Sequence, residues 1–207
     1  WPSAIALTAV AALTTLANPF AQTRVPLPTA GSPLTTTAAG RQVRVALVGG
    51  GVTNPWNIAF LPGDEGLLVA ESGGKLRLVK NGALVAEPLW VVPPPGGRDV
   101  LHGLVLHPDF AQNRLVYVSY VKRKDDMLSV AVARGRLDAG RLTDVNDIFV
   151  ADAWETAANA LNGRMIFGPD RTLYVTIGDR ARLLPSDDNS IRMRAQNLGD
   201  HVGKILR

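Results

Sequence analysis

The sequence of 207 residues contains no cysteine. This absence excludes a disulfide framework and any metal site that uses thiolate ligands, but it leaves the cellular compartment open, because many exported proteins lack cysteine. The chain also lacks a sustained 3.6-residue hydrophobic period beyond about its first two dozen residues. Its hydrophobic content of 46% and charged content of 19% are those of an ordinary folded domain rather than a disordered chain.

Strong charge of one sign is also missing. The 22 basic and 18 acidic residues give a net charge of +4. The basic residues are scattered, and their one run, Lys122–Lys124, is followed directly by Asp125 and Asp126. This pattern indicates a solvated loop rather than a nucleic-acid patch.

An uncharged run of small apolar residues, Ala4–Leu13, opens the chain and is too short to cross a bilayer comfortably. The pattern predicts the apolar core of a secretory signal cleaved near Ala17 or Ala21, with a buried helix as the alternative. We therefore expect residues 1–21 to be a truncated signal peptide and the protein to be periplasmic or secreted. Residues 22–41, rich in Pro, Thr and Ala, predict a flexible linker.

The most informative stretch, Gly163–Arg180, predicts a strand, a tight turn and a second strand. Pro169 fixes its φ angle and Asp170 is able to bond its own backbone, so the turn is encoded locally. Within Leu173–Ile177, apolar residues alternate and favour a strand. Asp179 follows that strand, and a carboxylate there is held on a rigid support at the end of a sheet, where sites are often built.

The same unit occurs twice upstream. The turn prolines Pro62, Pro108 and Pro169 lie 46 and then 61 residues apart. A repeat of roughly 40–50 residues with several short strands is typical of propeller blades, and the longer interval fits a blade with an enlarged loop. Further strand candidates lie between the copies: Lys75–Val79, Ser129–Arg134 and Asp147–Val150.

The sequence therefore predicts an all-β fold, a β-propeller domain over residues 42–207 with about three blades. Three blades do not close a ring, and the chain stops inside a strand pattern, Val202–Arg207. Because an open propeller exposes a long unpaired strand edge, we expect the sequence to be part of a longer protein.

One stretch imitates a nucleotide site. Gly49–Gly51 follows an apolar strand pattern as in a dinucleotide-binding turn, but Asn54 stands where that fingerprint needs a third glycine. Pro55 follows at once and no helical period comes after it, so a nucleotide site is not indicated.

Five collinear pieces of the sequence carry a family resemblance. They are Asn54–Trp56 with Ala59–Pro62, Gly103–Phe110, Arg134–Leu137, Gly163–Arg180, and Ala195–Leu198 with His201–Arg207. In this order they make the chain from about residue 45 onwards resemble the soluble pyrroloquinoline-quinone (PQQ) sugar dehydrogenases, the glucose/sorbosone dehydrogenase family that includes aldose sugar dehydrogenases.

The resemblance implies a six-bladed propeller of which this chain is about the first half, with PQQ and Ca²⁺ in the central channel. It implies oxidation of an aldose to its lactone, with an external electron acceptor. PQQ carries three carboxylates, so its site needs Arg and Lys side chains. The resemblance places the residues that bind PQQ and Ca²⁺ after Arg207.

The catalytic loop departs from the family pattern. The family's catalytic His stands three residues before the Gly of the Gly-Arg pair, and that position is Ala160 here, with Asn159 beside it. The Asp that orients the His is retained as Asp179, which makes it the catalytic candidate, and Arg180 follows it as a channel candidate.

A second departure lies in a glycine-rich loop. The family's polar channel residue, usually Gln, is Arg98 here, followed by Asp99. The resemblance places both residues at the channel, and the alternative is an exposed loop.

Three interpretations remain open at this point. The protein is a PQQ-dependent sugar dehydrogenase with an altered catalytic loop, or a non-catalytic exported propeller that binds a sugar or an anionic ligand. A calcium-dependent lactonase would need several converging carboxylates, which the spacing of Asp and Glu does not indicate. The side chains that stay open between structural and site roles are His102, His107, His201, Trp56, Trp154 and the pair Asp187–Asp188.

Overall fold

The computed structural model describes residues 28–29, 32–93, 100–156, 160–180 and 193–207. In this part, the chain forms fourteen strands and two short helical segments. The strands are β1 (Leu34–Ala38), β2 (Arg41–Val45), β3 (Pro55–Phe60), β4 (Leu67–Glu71), β5 (Lys75–Lys80), β6 (Ala83–Leu84), β7 (Trp90–Val91), β8 (Leu101–Leu106), β9 (Leu115–Lys124), β10 (Met127–Asp138), β11 (Arg141–Val150), β12 (Asn162–Phe167), β13 (Leu173–Ile177) and β14 (Lys204–Leu206). The helical segments are α1 (Phe110–Asn113) and a 3-10 turn (Arg194–Gln196). The prediction of an almost purely β fold is confirmed.

The first of two units ends at Ala46, and its described part contains the hairpin β1–β2. Ala39 and Gly40 turn the chain with φ angles of +47° and +74°, as a tight turn between twisted strands requires. The predicted flexible linker over 22–41 is therefore corrected from residue 34 onwards, because the threonines of β1 favour a strand when β2 pairs with it. The predicted signal peptide lies outside the described residues.

Residues 47–207 form the second unit, which contains three antiparallel sheets. Blade 1 has the order β3-β4-β5-β6, with β7 also paired to β5. Blade 2 has the order β8-β9-β10-β11, and blade 3 has the order β12-β13-β14. These sheets contain the strands that the sequence predicted between and within the three repeated units.

The first strand of each blade lies innermost. Strand β8 contacts both β3 and β12, so the three blades fan around one axis, and we call the space beside these three inner strands the channel. Residues near the starts of the inner strands lie close together, Trp56 beside His102 and Gly103 beside Gly163, so the starts of all three inner strands lie at the same end of the channel. The structure is a partial β-propeller, as the sequence predicted.

The repeated turn is built in the same way in each blade. The residue before each turn proline donates its N–H across the turn: Leu61 to Gly66 at 2.9 Å, His107 to Leu115 at 3.0 Å and Gly168 to Thr172 at 2.9 Å. In blade 3, the Asp170 carboxylate accepts from the Thr172 N–H at 3.1 Å. This backbone hydrogen bond, the Thr172 hydroxyl and Arg207 lower the pKa of Asp170.

Two apolar clusters hold the blades together. The first joins blades 1 and 2 and includes Leu68 and Leu76 packed with Leu104 and Val118. The second joins blades 2 and 3 and contains Val130, Val132, Val175, Ile177 and Val202. Burial of apolar area at these two interfaces is the main stabilising term.

A polar network fixes the segment that leads into β14. Arg194 contacts Glu155 at 2.8 Å and Asp200 at 2.6 Å, and Lys204 donates to the Ala195 and Val202 carbonyls at 2.9 and 2.8 Å. Burial raises the pKa of Asp200, but the hydrogen bonds from Arg194 and Val202 outweigh it, so the pKa is lowered overall.

Replacing Leu68 by Ala tests the interface between blades 1 and 2. Leu68 is 0% exposed, so Leu68→Ala is expected to lower the free energy of unfolding by about 2–5 kcal/mol, as cavity-forming substitutions do. The matched control is Leu198→Ala, because Leu198 is 95% exposed and should change stability by no more than about 0.5 kcal/mol. Urea denaturation of both variants measures the difference, and equal losses would contradict this description of the core.

The Arg194–Asp200 contact predicts a specific pH dependence. Because the folded pKa of Asp200 lies below its usual 3.8, the carboxylate stabilises the fold above that value, and this contribution is lost as the pH falls through the folded pKa. Acid titrations of the unfolding free energy should therefore be less steep below about pH 4 for Asp200→Asn than for the wild type. Asp126→Asn, which changes an exposed turn residue, should titrate like the wild type, and a steep titration of Asp200→Asn would refute the assignment.

Candidate active site

Asp179 and Ala160 come together at the channel end where the inner strands start. Asn162, at the start of β12, pairs with Ile177, at the end of β13. Asp179 lies two residues beyond that strand, and Ala160 lies two residues before β12. The predicted catalytic carboxylate and the altered family position thus share one end of blade 3.

Gly178 makes this approach close. Its N–H donates to the Leu161 carbonyl at 3.1 Å, and a Cβ at residue 178 would overlap the Ala160 carbonyl. Only glycine allows the two backbones to lie this close. Asp179 follows Gly178 directly in the chain and is partly buried, with its Cβ 3.6 Å from where a Cβ at Gly203 would lie.

That turn has an unusual backbone. Ala160, Asn162 and Gly163 have φ angles of +44°, +60° and +105°, so three of four consecutive residues lie in the region that favours glycine. A non-glycine residue there costs about 1–2 kcal/mol, and such strain is concentrated at functional sites. The Asn162–Gly163 pair is the sequence signal of this turn, since both residue types tolerate positive φ.

The three inner strands share a second irregularity. Each carries a register shift near its start, between Pro55 and Asn57 in β3, between Leu101 and Gly103 in β8, and between Asn162 and Met165 in β12. Such β-bulges add one residue to a strand and re-aim its side chain, and they are common next to active sites.

The bulges direct three side chains toward one another: Trp56, His102 and Arg164. The Trp56 and His102 rings meet edge to face with centroids 6.4 Å apart, and the Arg164 guanidinium carbon lies 5.9 Å from the Trp56 ring centroid. We call these three residues the bulge row. Sequence reasoning left Trp56 and His102 open and missed Arg164.

A positional signal for the bulge row exists in the sequence. Trp56, His102 and Gly163 each stand six residues before the turn proline of their own repeat, and Arg164 follows Gly163. Gly163 makes room for the row, since a Cβ there would lie 3.2 Å from the His102 Cβ and 2.9 Å from the Ser119 hydroxyl.

Arg180, predicted at the channel, is buried in the protein. It is 1% exposed, and its guanidinium donates to the Leu128 carbonyl at 3.2 Å and the Glu155 carbonyl at 3.5 Å. Burial lowers the pKa of Arg180, against the opposing effect of the Glu155 charge. Two backbone carbonyls from distant parts of the chain thus accept from one nitrogen of its guanidinium, and a channel role for Arg180 stays a prediction.

The other two histidines accept backbone N–H groups. His107 accepts the Asp109 N–H at 3.0 Å through Nδ1, which fixes its own turn, and His201 accepts the Asp152 N–H at 2.8 Å. Both residues thus organise loops.

The remaining predicted residues lie outside the described part of the chain: Arg98, Asp99, Asn159 and the pair Asp187–Asp188. Within residues 28–29, 32–93, 100–156, 160–180 and 193–207, no group of three or more His, Asp or Glu side chains is arranged to hold a metal ion. No helix in those ranges is long and apolar enough to span a membrane.

Comparison with known proteins identifies the family. The glucose/sorbosone dehydrogenase family matches residues 52–207. The chain is 34% identical to the aldose sugar dehydrogenase YliI of Escherichia coli, over 82% of this chain and 45% of that protein.

Similarity to solved structures supports the same family. A crystal structure of a glucose dehydrogenase superposes with a TM-score of 0.65 at 29% identity, covering 76% of this chain and 44% of that one. The PQQ-bound aldose sugar dehydrogenase of Streptomyces coelicolor gives a TM-score of 0.60 at 28% identity, covering 78% and 46%. The chain spans less than half the length of these relatives. It belongs to the glucose/sorbosone dehydrogenase family.

Proposed function

We propose that the protein oxidises an aldose at its anomeric carbon to the lactone, at the channel end where Gly178, the residue before Asp179, packs against Ala160. The observation that carries this proposal is that juxtaposition, in a chain whose relatives are sugar dehydrogenases. We also propose export to the periplasm or the exterior, on the apolar run at residues 4–13.

PQQ is the proposed two-electron acceptor, supported by the PQQ-bound relative, and Ca²⁺ is its proposed partner ion. A planar tricarboxylate needs several cationic side chains, whereas the bulge row supplies one guanidinium, that of Arg164. The described residues also contain no group of carboxylates for a metal ion. The described residues therefore lack the side chains needed to bind PQQ or Ca²⁺. The roles proposed for this chain are those of its own residues alone.

The chain's own contribution is to position the sugar and accept its proton. Loss of the anomeric hydroxyl proton needs a base, and the methyl group of Ala160 is not one. Asp179, next in the chain to the Gly178 that packs against Ala160, is our candidate to accept that proton or to orient the group that does. Removing a general base typically costs 10²–10⁴-fold in rate, or about 3–5 kcal/mol of barrier, so slow turnover is expected.

The second candidate function is a non-catalytic propeller that binds a sugar or an anionic ligand at the same channel end. The specific observation in its favour is Ala160, which leaves the family's base position without a titratable group.

A reconstitution assay separates these two functions. The full-length protein with PQQ and Ca²⁺ should reduce a dye acceptor when D-glucose is added, and should retain quinone absorbance after dialysis. Protein without added PQQ is the control. If the dye is not reduced and no quinone absorbance is retained, the dehydrogenase proposal is wrong.

Restoring the imidazole tests the role of residue 160. Ala160→His should raise kcat/KM by about 10²–10⁴-fold, and histidine tolerates the left-handed backbone at this position better than most residues. Ala139→His is the matched control, because Ala139 also has a φ of +44° and lies exposed in the β10–β11 turn. If Ala160→His, Ala139→His and the wild type have the same kcat/KM, the hypothesis that position 160 lacks a catalytic base is wrong.

A further inference from the structure

The bulge row lines the channel itself. Blade 2 lies between blades 1 and 3, yet Arg164 of blade 3 lies over the Trp56 ring of blade 1. Two blades that are not neighbours meet at their inner strands only across the channel. Trp56 and Arg164 therefore face the channel, at the same end as Ala160 and Asp179.

Trp56 offers an open aromatic surface there. The residue is 50% exposed, although its ring edge is supported by His102 at a centroid distance of 6.4 Å. The face of an indole ring carries negative charge density. The ring C–H groups of a pyranose carry partial positive charge on a flat apolar face, so the two surfaces are complementary.

Arg164 adds hydrogen-bond donors over that ring, since its guanidinium carbon lies 5.9 Å from the ring centroid. Its backbone is fixed, since the Arg164 N–H donates to the Thr176 hydroxyl at 3.0 Å. In the described part of the chain, no carboxylate pairs with its guanidinium. A guanidinium has five N–H donors in a fixed geometry, which suits the hydroxyl oxygens around a sugar ring.

We propose that Trp56 is a stacking platform for the pyranose ring of the substrate, and that Arg164 donates hydrogen bonds to the hydroxyls of the same ring. The assignment of a sugar as the ligand rests on the proposed function. The arrangement is that of many small-molecule sites, in which an aromatic wall gives affinity and a few polar groups give orientation. Trp56 and Arg164 are positioning residues in this proposal, and neither exchanges a proton with the sugar.

Calorimetric titration of the full chain, without cofactor, tests the platform. D-Glucose is the probe, and D-sorbitol is the control ligand because it has similar hydroxyls and no ring face. Trp56→Ala should weaken D-glucose binding about tenfold, and Arg164→Gln by about three- to tenfold. The matched control variant is Phe60→Ala, since Phe60 is a 68% exposed aromatic residue at the far end of the same strand, and it should bind as the wild type does.

A second measurement does not depend on the folding of the Ala variant. The fluorescence of Trp56 is the difference between the spectra of the wild type and Trp56→Phe. Acrylamide should quench this fluorescence, and D-glucose should reduce the quenching. The proposal is overturned if D-glucose does not protect Trp56 from acrylamide quenching. It is also overturned if the wild type binds D-sorbitol as tightly as D-glucose, or binds neither ligand. The same holds if Trp56→Ala binds D-glucose as tightly as Phe60→Ala does.

The dehydrogenase proposal and the stacking-platform proposal can be disproved independently. PQQ-dependent turnover of D-glucose with unchanged binding by Trp56→Ala would overturn the platform and leave the dehydrogenase function standing. Binding that depends on Trp56, without turnover in the presence of PQQ and Ca²⁺, would overturn the dehydrogenase function and leave the platform standing.

Discussion

The packing of each blade on the next determines where every channel residue lies. Leu68 and Leu104 join blade 1 to blade 2, and Val130 and Val175 join blade 2 to blade 3. Because neighbouring twisted sheets bury one face against each other, their first strands converge on one axis. The residues of the bulge row then lie near the starts of those strands, and the turn at Ala160 leads into the start of β12.

Backbone conformation converts this scaffold into a site. The bulges of β3, β8 and β12 lie beside the bulge row, and the left-handed turn at Ala160 brings its carbonyl against Gly178. Both features are locally unfavourable for regular strands. The two apolar interfaces on either side of blade 2 supply the stability that holds them in place.

Sequence patterns predicted the strands well where alternation was strong. Strand Leu173–Ile177 has the predicted bounds, and the three turn prolines mark equivalent positions. The hairpin β1–β2 was missed because a Pro- and Thr-rich composition resembles that of a linker until its partner strand is known.

The site was less predictable because it depends on partners distant in sequence. Burial of Arg180 requires carbonyls 52 and 25 residues away. The bulge row depends on the pairing register of three separate hairpins, which one strand's own residues do not specify. The adjacency of Ala160 and Asp179, in contrast, follows from one hairpin, and the family resemblance had already singled out both residues.

Gly103 and Gly163 face each other across the boundary between blades 2 and 3, where the Ser119 hydroxyl donates to the Gly163 carbonyl at 2.5 Å. The two inner strands therefore meet here through main-chain atoms and the Ser119 hydroxyl. A Cβ at residue 103 would overlap the Gly163 carbonyl oxygen, and one at residue 163 would lie 2.9 Å from the Ser119 hydroxyl. Any larger residue at either glycine would have to push blades 2 and 3 apart, so this glycine pair sets how closely the two blades approach.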